Sequence, residues 1–233
     1  MWVRSSALLR VKWRRILLLE FVVIILGVFA ALAADSWWGG RTEHARMRQN
    51  LVALGQDLAA AEREIRASIE NDSTSLAMSA GALALLRRGG PDFAEARTLV
   101  ADTMLSSIDV ATIPYGTLRF LINSGDVRLV QDDSARGQLI QGLANLQRDD
   151  ELILELAGKA DAAWDRITLA QSRFWTASEE WPDAALEDPE VIGGLAVWNA
   201  KLQNIDDLLR VMLFTVEDLK AAVERELAGA SEF

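Results

Sequence analysis

One apolar stretch near the N-terminus constrains this chain more than any other feature. Residues 16–34 contain a single charged side chain, Glu20. A helix rises about 1.5 Å per residue, so about 19 residues cover the roughly 30 Å hydrocarbon core of a bilayer. The stretch therefore predicts one transmembrane helix over residues 16–35, which follows a basic cytoplasmic tail over residues 1–15.

Aromatic and basic residues flank this stretch. Trp13, Arg14 and Arg15 come before it, and Trp37 and Trp38 come after it. Tryptophan at both ends is typical of a helix that leaves the lipid bilayer, so we predict these five residues as membrane-interface anchors. Lys and Arg are more numerous before the stretch than after it, which favours an N-terminus inside the cytoplasm and the remaining chain outside.

A cleaved secretory signal peptide is the alternative interpretation of the same stretch. The Ala31-Leu32-Ala33 sequence would suit a signal peptidase, and basic residues precede the apolar segment. The length of the segment and the charge of Glu20 inside it favour a retained anchor.

Two features of the predicted span suit contact with another membrane helix. Glu20 lies about one turn inside the cytoplasmic edge, where it either reaches water and nearby arginines or contacts another subunit. Gly27 and Ala31 leave one side of the helix small, and small residues at this spacing let helix backbones approach closely. We therefore predict Glu20, Gly27 and Ala31 as contacts to integral membrane proteins.

Composition argues against several kinds of chemistry. The 233 residues include no cysteine and one histidine, so neither thiolate chemistry nor a Cys/His zinc site is expected. The net charge is −10 although the N-terminal tail is basic, so the remainder is strongly acidic and no nucleic-acid binding is expected. No catalytic triad or phosphate-binding loop is recognisable, and the acidic residues between 179 and 190 lack the spacing of a calcium loop. We predict a protein that is not an enzyme and has no cofactor.

Helical periodicity dominates residues 36–228. Apolar residues from Met47 to Ile69 recur at steps of four and three, which predicts a helix with one buried side. Ser73, Leu76, Ala80 and Leu83 can extend this stripe, and residues 87–91 are predicted to end the helix. Short helices are predicted near residues 91–108 and 115–123, a long helix from residue 133 to about residue 174, and a loop over residues 175–188. The prediction is an all-α protein, with one N-terminal transmembrane helix, an antiparallel bundle of about three long and two short helices, and a flexible tail over residues 229–233.

The last long helix carries the most regular stripe. Its apolar positions are Val191, Leu195, Trp198, Leu202, Ile205, Leu209, Met212, Val216, Leu219 and Val223. A 3.5-residue period favours nearly parallel packing of long helices, either in the core of one chain or at the seam of a homo-oligomer. Trp175, Trp181 and Trp198 are predicted as a partner surface, because tryptophan is enriched at interface hot spots, with burial in the core as the alternative.

Two segments resemble a widespread group of uncharacterised bacterial single-span proteins. The first is Glu20-Phe21-Val22-Val23-Ile24-Ile25-Leu26-Gly27-Val28, followed by Ala31-Leu32 and Asp35-Ser36-Trp37-Trp38. The second runs from Tyr115-Gly116-Thr117-Leu118 to Ser124-Gly125-Asp126-Val127-Arg128-Leu129-Val130, although Phe120-Leu121-Ile122 departs from the group's pattern. The resemblance implies a bacterial inner-membrane protein with its helical domain in the periplasm, and it implies no activity.

Three functions fit these observations. The first is an accessory or structural subunit of a larger inner-membrane complex of respiratory or photosynthetic type, which acts through protein–protein contacts. The second is a periplasmic sensory or ligand-binding bundle, although the cytoplasmic tail is too short to form a signalling domain. The third is a homo-oligomeric coiled scaffold built on the stripe of the last helix. We favour the first.

Overall fold

A computed structural model describes residues 6–89, 93–105, 108, 110–172 and 183–229. The side chains of residues 6–20, 22, 36, 39, 40, 104, 105, 171 and 183 lie outside that description. Within these ranges all regular structure is helical, which confirms the all-α prediction. The chain forms two compact units, residues 1–49 and residues 50–233.

Six α-helices are described. They are α1 (Ser6–Arg88), α2 (Phe93–Leu105), α3 (Gly116–Asn123), α4 (Asp133–Ser172), α5 (Asp183–Leu186) and α6 (Pro189–Gly229). Gly39 and Gly40 lie within α1. The short helices α2 and α3 lie where they were predicted, whereas α5 forms inside the segment predicted as a loop. Among the residues whose side chains are described, which do not include residues 6–20 and 22, no helix combines the length and the apolar character that a membrane crossing requires.

The stripe of α6 forms the centre of the core of the second unit. All ten of its positions, from Val191 to Val223, are buried. On α1, Leu51, Leu54, Leu58, Ala61 and Ile65 are also buried, as their spacing predicted. Because the α6 stripe is buried within one chain, it follows the first of its two predicted alternatives, the core of one chain.

The buried side of α1 continues past Ile65 at polar residues. Ser68, Asp72, Ser75 and Ser79 are buried, whereas Ser73 and Ala80 of the predicted extension are exposed. The Asn199 amide on α6 donates a hydrogen bond to the Ser79 hydroxyl over 2.6 Å. The alternating steps of three and four residues therefore continue through small polar side chains, and Leu83 of the predicted extension is buried as expected.

Helices α4 and α6 approach closely at two glycines. A Cβ atom added at Gly142 would lie 2.6 Å from the Leu219 side chain, and one added at Gly194 would lie 2.6 Å from Ile167. Both distances are shorter than any normal carbon–carbon contact, so neither site has room for a side chain. The two contacts also show that α4 and α6 are antiparallel.

Side chains cap the helix starts of the second unit. The Glu226 carboxylate near the end of α6 accepts hydrogen bonds from the backbone N–H groups of Gln131 (2.7 Å) and Asp132 (3.2 Å). Asp132 in turn accepts a bond from the Ser134 N–H (2.8 Å), as its N-cap position predicts. Gly125 adopts a φ of +78°, a left-handed conformation that glycine adopts without strain.

We expect Gly142→Ala to lower the free energy of unfolding by about 1–3 kcal/mol, because the new methyl group must displace Leu219. The control is Gly158→Ala in the same helix, where an added Cβ meets nothing within 4 Å. That control should raise stability by about 0.5–1 kcal/mol through helix propensity. Urea denaturation measures both changes, and an equal response of the two variants would contradict the close contact.

An ion pair between α1 and α6 predicts a pH dependence. The Glu62 carboxylate accepts hydrogen bonds from Lys220 (3.0 Å) and Arg66 (3.1 Å), which lower the pKa of Glu62 below its usual value. A lowered carboxyl pKa stabilises the fold at pH values above the unfolded-state pKa, and this stabilisation is lost as pH falls through the folded-state pKa. The Tm difference between wild type and Glu62→Gln should therefore be present at neutral pH and shrink in acid. A difference that does not vary with pH would contradict this assignment.

Candidate functional site

In the first unit, α1 exposes large apolar side chains on all its sides. Seven of them have between 53% and 67% of their surface exposed: Phe21, Val23, Ile24, Leu26, Val28, Phe29 and Leu32. Successive helical residues are rotated by about 100°, so this series leaves no polar side. An apolar surface of this kind marks a site that contacts lipid or protein.

The residues predicted as membrane-helix contacts lie along the same helix. Gly27 and Ala31 are exposed, and a Cβ added at Gly27 would meet nothing within 4 Å. The side chains of Glu20, Trp13, Arg14 and Arg15 lie outside the described residues. The space beside Gly27 is therefore open to a neighbouring helix, while the environment of Glu20 stays a prediction.

Two tryptophans and an arginine follow the apolar surface. Trp37 and Trp38 contact each other edge to face, with their ring centroids 6.5 Å apart. The Arg41 guanidinium carbon lies 4.5 Å from the Trp37 ring centroid, within the range of a cation–π interaction. This group combines exposed aromatic rings with a cation, a chemistry that suits the boundary between an apolar phase and water.

Trp198, predicted as part of a partner surface, is not exposed. This residue is 3% exposed and packs against Trp164, with ring centroids 5.6 Å apart. The cause is its position on the buried stripe of α6. Trp175 and Trp181 lie outside the described residues.

Sequence reasoning missed a second exposed surface, on one side of the α4–α6 pair. We call it the outer face and define it by Arg148, Leu152, Glu155, Lys159 and Arg166 of α4 with Glu190, Val197, Lys201, Val211 and Thr215 of α6. It contains a groove of about 520 Å³ beside Gly193 and Gly194 and another of about 320 Å³ beside Gly142. The exposed side chains at 14-residue spacing, Val197 and Val211, are the signal that could have revealed this face.

Charged residues lie between the two grooves. Glu155 forms an ion pair with Lys159, and the hydrogen bond in this pair lowers the pKa of Glu155. The charge of Lys201 on α6 also lowers the pKa of Glu155, so both helices contribute charged side chains to this part of the outer face.

One buried acid lies behind this face. Asp149 is almost completely buried, and one of its carboxylate oxygens accepts a hydrogen bond from Arg148 over 2.9 Å.

Over the ranges that the structure describes, no three His, Cys, Asp or Glu side chains are grouped so that they could bind a metal ion. Residues 179–182 of the acidic segment are outside those ranges.

No family model, curated protein or solved structure matches this chain. The resemblance to bacterial single-span proteins therefore stays a prediction. The two exposed surfaces are the observations from which function has to be inferred.

Because Trp198 is a core residue, we expect Trp198→Ala to lower the free energy of unfolding by about 3–5 kcal/mol. The matched control is Trp38→Ala, which removes a ring that is 68% exposed and should leave the unfolding of the second unit unchanged. Chemical denaturation of the full chain in detergent, followed by circular dichroism, measures both variants. A small effect of Trp198→Ala would show that this ring contributes little to the core.

Proposed function

We propose that this protein is a membrane-anchored helical accessory subunit of a bacterial inner-membrane complex. In this proposal residues 16–35 cross the membrane from the cytoplasm, and the helical domain lies in the periplasm. The observation that carries the proposal is the apolar surface on all sides of α1 over residues 21–32.

The energetic reason is the cost of leaving this surface in water. Removing one large apolar side chain from water contributes about 1.5–3 kcal/mol. The exposed side chains surround the helix, so a single groove of a partner protein would cover only part of them. A lipid bilayer surrounds the whole helix and removes the cost on every side.

The residues that follow the apolar surface of α1 also support a membrane anchor. Trp37, Trp38 and Arg41 suit the layer in which lipid headgroups meet water, because each presents an apolar body and a polar tip. The side chains of residues 16–20 and Val22, which belong to the proposed span, lie outside the described structure. For them the proposal depends on the sequence alone.

Because the sequence has no recognisable catalytic motif, we propose that the protein acts through contacts with other proteins. In the proposal Gly27 and Ala31 contact a helix of an integral membrane partner, and Glu20 provides a polar contact in the same helix pair. The partner complex is of respiratory or photosynthetic type, and the bundle supports it without catalysis or a cofactor.

The anchor is tested by a charge placed in the span. Leu26→Arg should weaken membrane retention, because an arginine at the centre of a span costs about 2.5–3.5 kcal/mol. The control Phe214→Arg changes another exposed apolar residue, in the second unit, and should leave retention unchanged. Alkaline extraction of membranes, followed by quantification of the full chain in pellet and supernatant, measures both. Release of the wild-type chain would overturn the anchor.

The partner contact is tested at Gly27. The full chain, solubilised in mild detergent, should migrate with integral membrane proteins in a complex much larger than itself. Gly27→Leu should abolish this association, because the new side chain fills the space a neighbouring backbone would occupy. Val28→Leu, on a different side of the helix, should retain it. Migration only as a free monomer or as a homodimer would refute the accessory role.

A further inference from the structure

We propose that the outer face of α4 and α6 binds the same face of a second copy of this chain. The two copies are related by a two-fold axis that runs parallel to the helices, so that α4 of each copy lies on α6 of the other. This inference goes beyond the proposed membrane role and does not depend on it.

The outer face is available because the core uses another side of each helix. The α6 stripe from Val191 to Val223 is buried, whereas Val197 and Val211 are 46% and 51% exposed. On α4, Leu152 is 40% exposed. Val197 and Val211 line the two grooves. Leu152 lies 14 residues, about four helical turns, from Gln138 and from Arg166, which line the same grooves, so the three apolar side chains share one side of the pair.

The shape of the face suits a second helix pair. At each end the glycines leave a groove, about 520 Å³ beside Gly193 and Gly194 and about 320 Å³ beside Gly142. The contacts Gly142–Leu219 and Gly194–Ile167 set the register of α4 against α6 and place Leu152 about level with residue 209. In the proposed dimer, Leu152 of one copy therefore lies on Val211 of the second copy.

Charge complementarity selects the second copy and its orientation. In the register set by Gly142 and Leu219, Glu155 on α4 lies about five residues, roughly 7.5 Å along the helices, from the level of Lys201 on α6, so the two-fold axis places these oppositely charged side chains of the two copies within reach of each other. At the end of the face, Arg166 on α4 and Glu190 on α6 line one groove and repeat this arrangement. Stacking α4 on the second α4 would instead bring Arg166 to Arg166, which is unfavourable.

The area of the face is sufficient for a dimer. From residue 141 to residue 166 a helix extends roughly 40 Å, and two adjacent helices are roughly 18 Å wide. Their product, roughly 700 Å² per copy, is close to the roughly 800 Å² that each partner buries in a standard stable interface.

The absence of native cysteine permits a clean cross-linking test. Full-length chains carrying Leu152→Cys and chains carrying Val211→Cys, with different tags, are co-expressed and treated in unfractionated lysate with a short bismaleimide. We expect a strong heterotypic cross-link. The control replaces Leu152→Cys by Leu154→Cys, which is 57% exposed but lies about 200° around the same helix, and its yield should be several-fold lower. Equal yields in the two experiments would overturn the proposal.

Charge reversal provides the second test. Glu155→Lys or Lys201→Glu alone places like charges opposite each other in the homodimer and should reduce the dimer fraction. A mixture of the two variants restores both pairs between the copies, so heterodimers should exceed their statistical share. Repacking within one chain cannot produce this preference, and the Tm of each variant controls for folding.

The assembly state decides between this proposal and the other occupants of the face. Light scattering of the full chain in detergent, after it has been purified away from all other proteins, should give the mass of a dimer. A monomeric mass would refute the proposal, and so would a cross-link from Leu152→Cys to a different protein instead of to a second copy. A dimer without any larger complex would support this interface while refuting the accessory role, so the two proposals fail separately.

Discussion

The close packing of α4 against α6 is the contact on which the rest of the second unit depends. At Gly142 and Gly194 the two helices approach so closely that no side chain fits between them. This approach brings the α6 stripe from Val191 to Val223 into one continuous core. It also creates the grooves of the outer face, because a glycine that permits close approach leaves a depression beside it. The packing of α4 against α6 thus determines both the core of the second unit and its outer face.

The two compact units meet the same physical requirement in opposite ways. In the second unit, neighbouring helices of the same chain cover the α6 stripe from Val191 to Val223, and the Asn199 amide donates a hydrogen bond to the Ser79 hydroxyl. In residues 21–32, the apolar side chains stay exposed on every side of α1. A chain that completes one core and leaves another apolar surface uncovered needs an apolar environment from outside, which is the basis of the membrane proposal.

Much of this fold could be predicted from periodicity, because a buried helical side requires apolar residues at steps of three and four. That rule located α6 and the first turns of α1 in the second unit, and N-cap chemistry located the start of α4. It failed where the buried residues are polar. Ser68, Asp72, Ser75 and Ser79 carry no hydrophobic signal, and only the neighbouring helices show that they are covered. Trp198 shows the reverse case. Tryptophan is enriched at interfaces, which suggested a contact residue, but the position of Trp198 on the α6 stripe places it in the core.

The sequence by itself determined the helical class, the order of the long helices, the apolar segment near the N-terminus and the absence of cysteine. These properties follow from local spacing and residue chemistry. The tertiary structure decided which side of each helix is covered, and therefore that the α6 stripe is internal and that the outer face is exposed. The physical reason is that a repeating stripe specifies only that a side must be buried. What buries it depends on the distance and register between helices, which residues remote in sequence, such as Gly142 and Leu219, determine together.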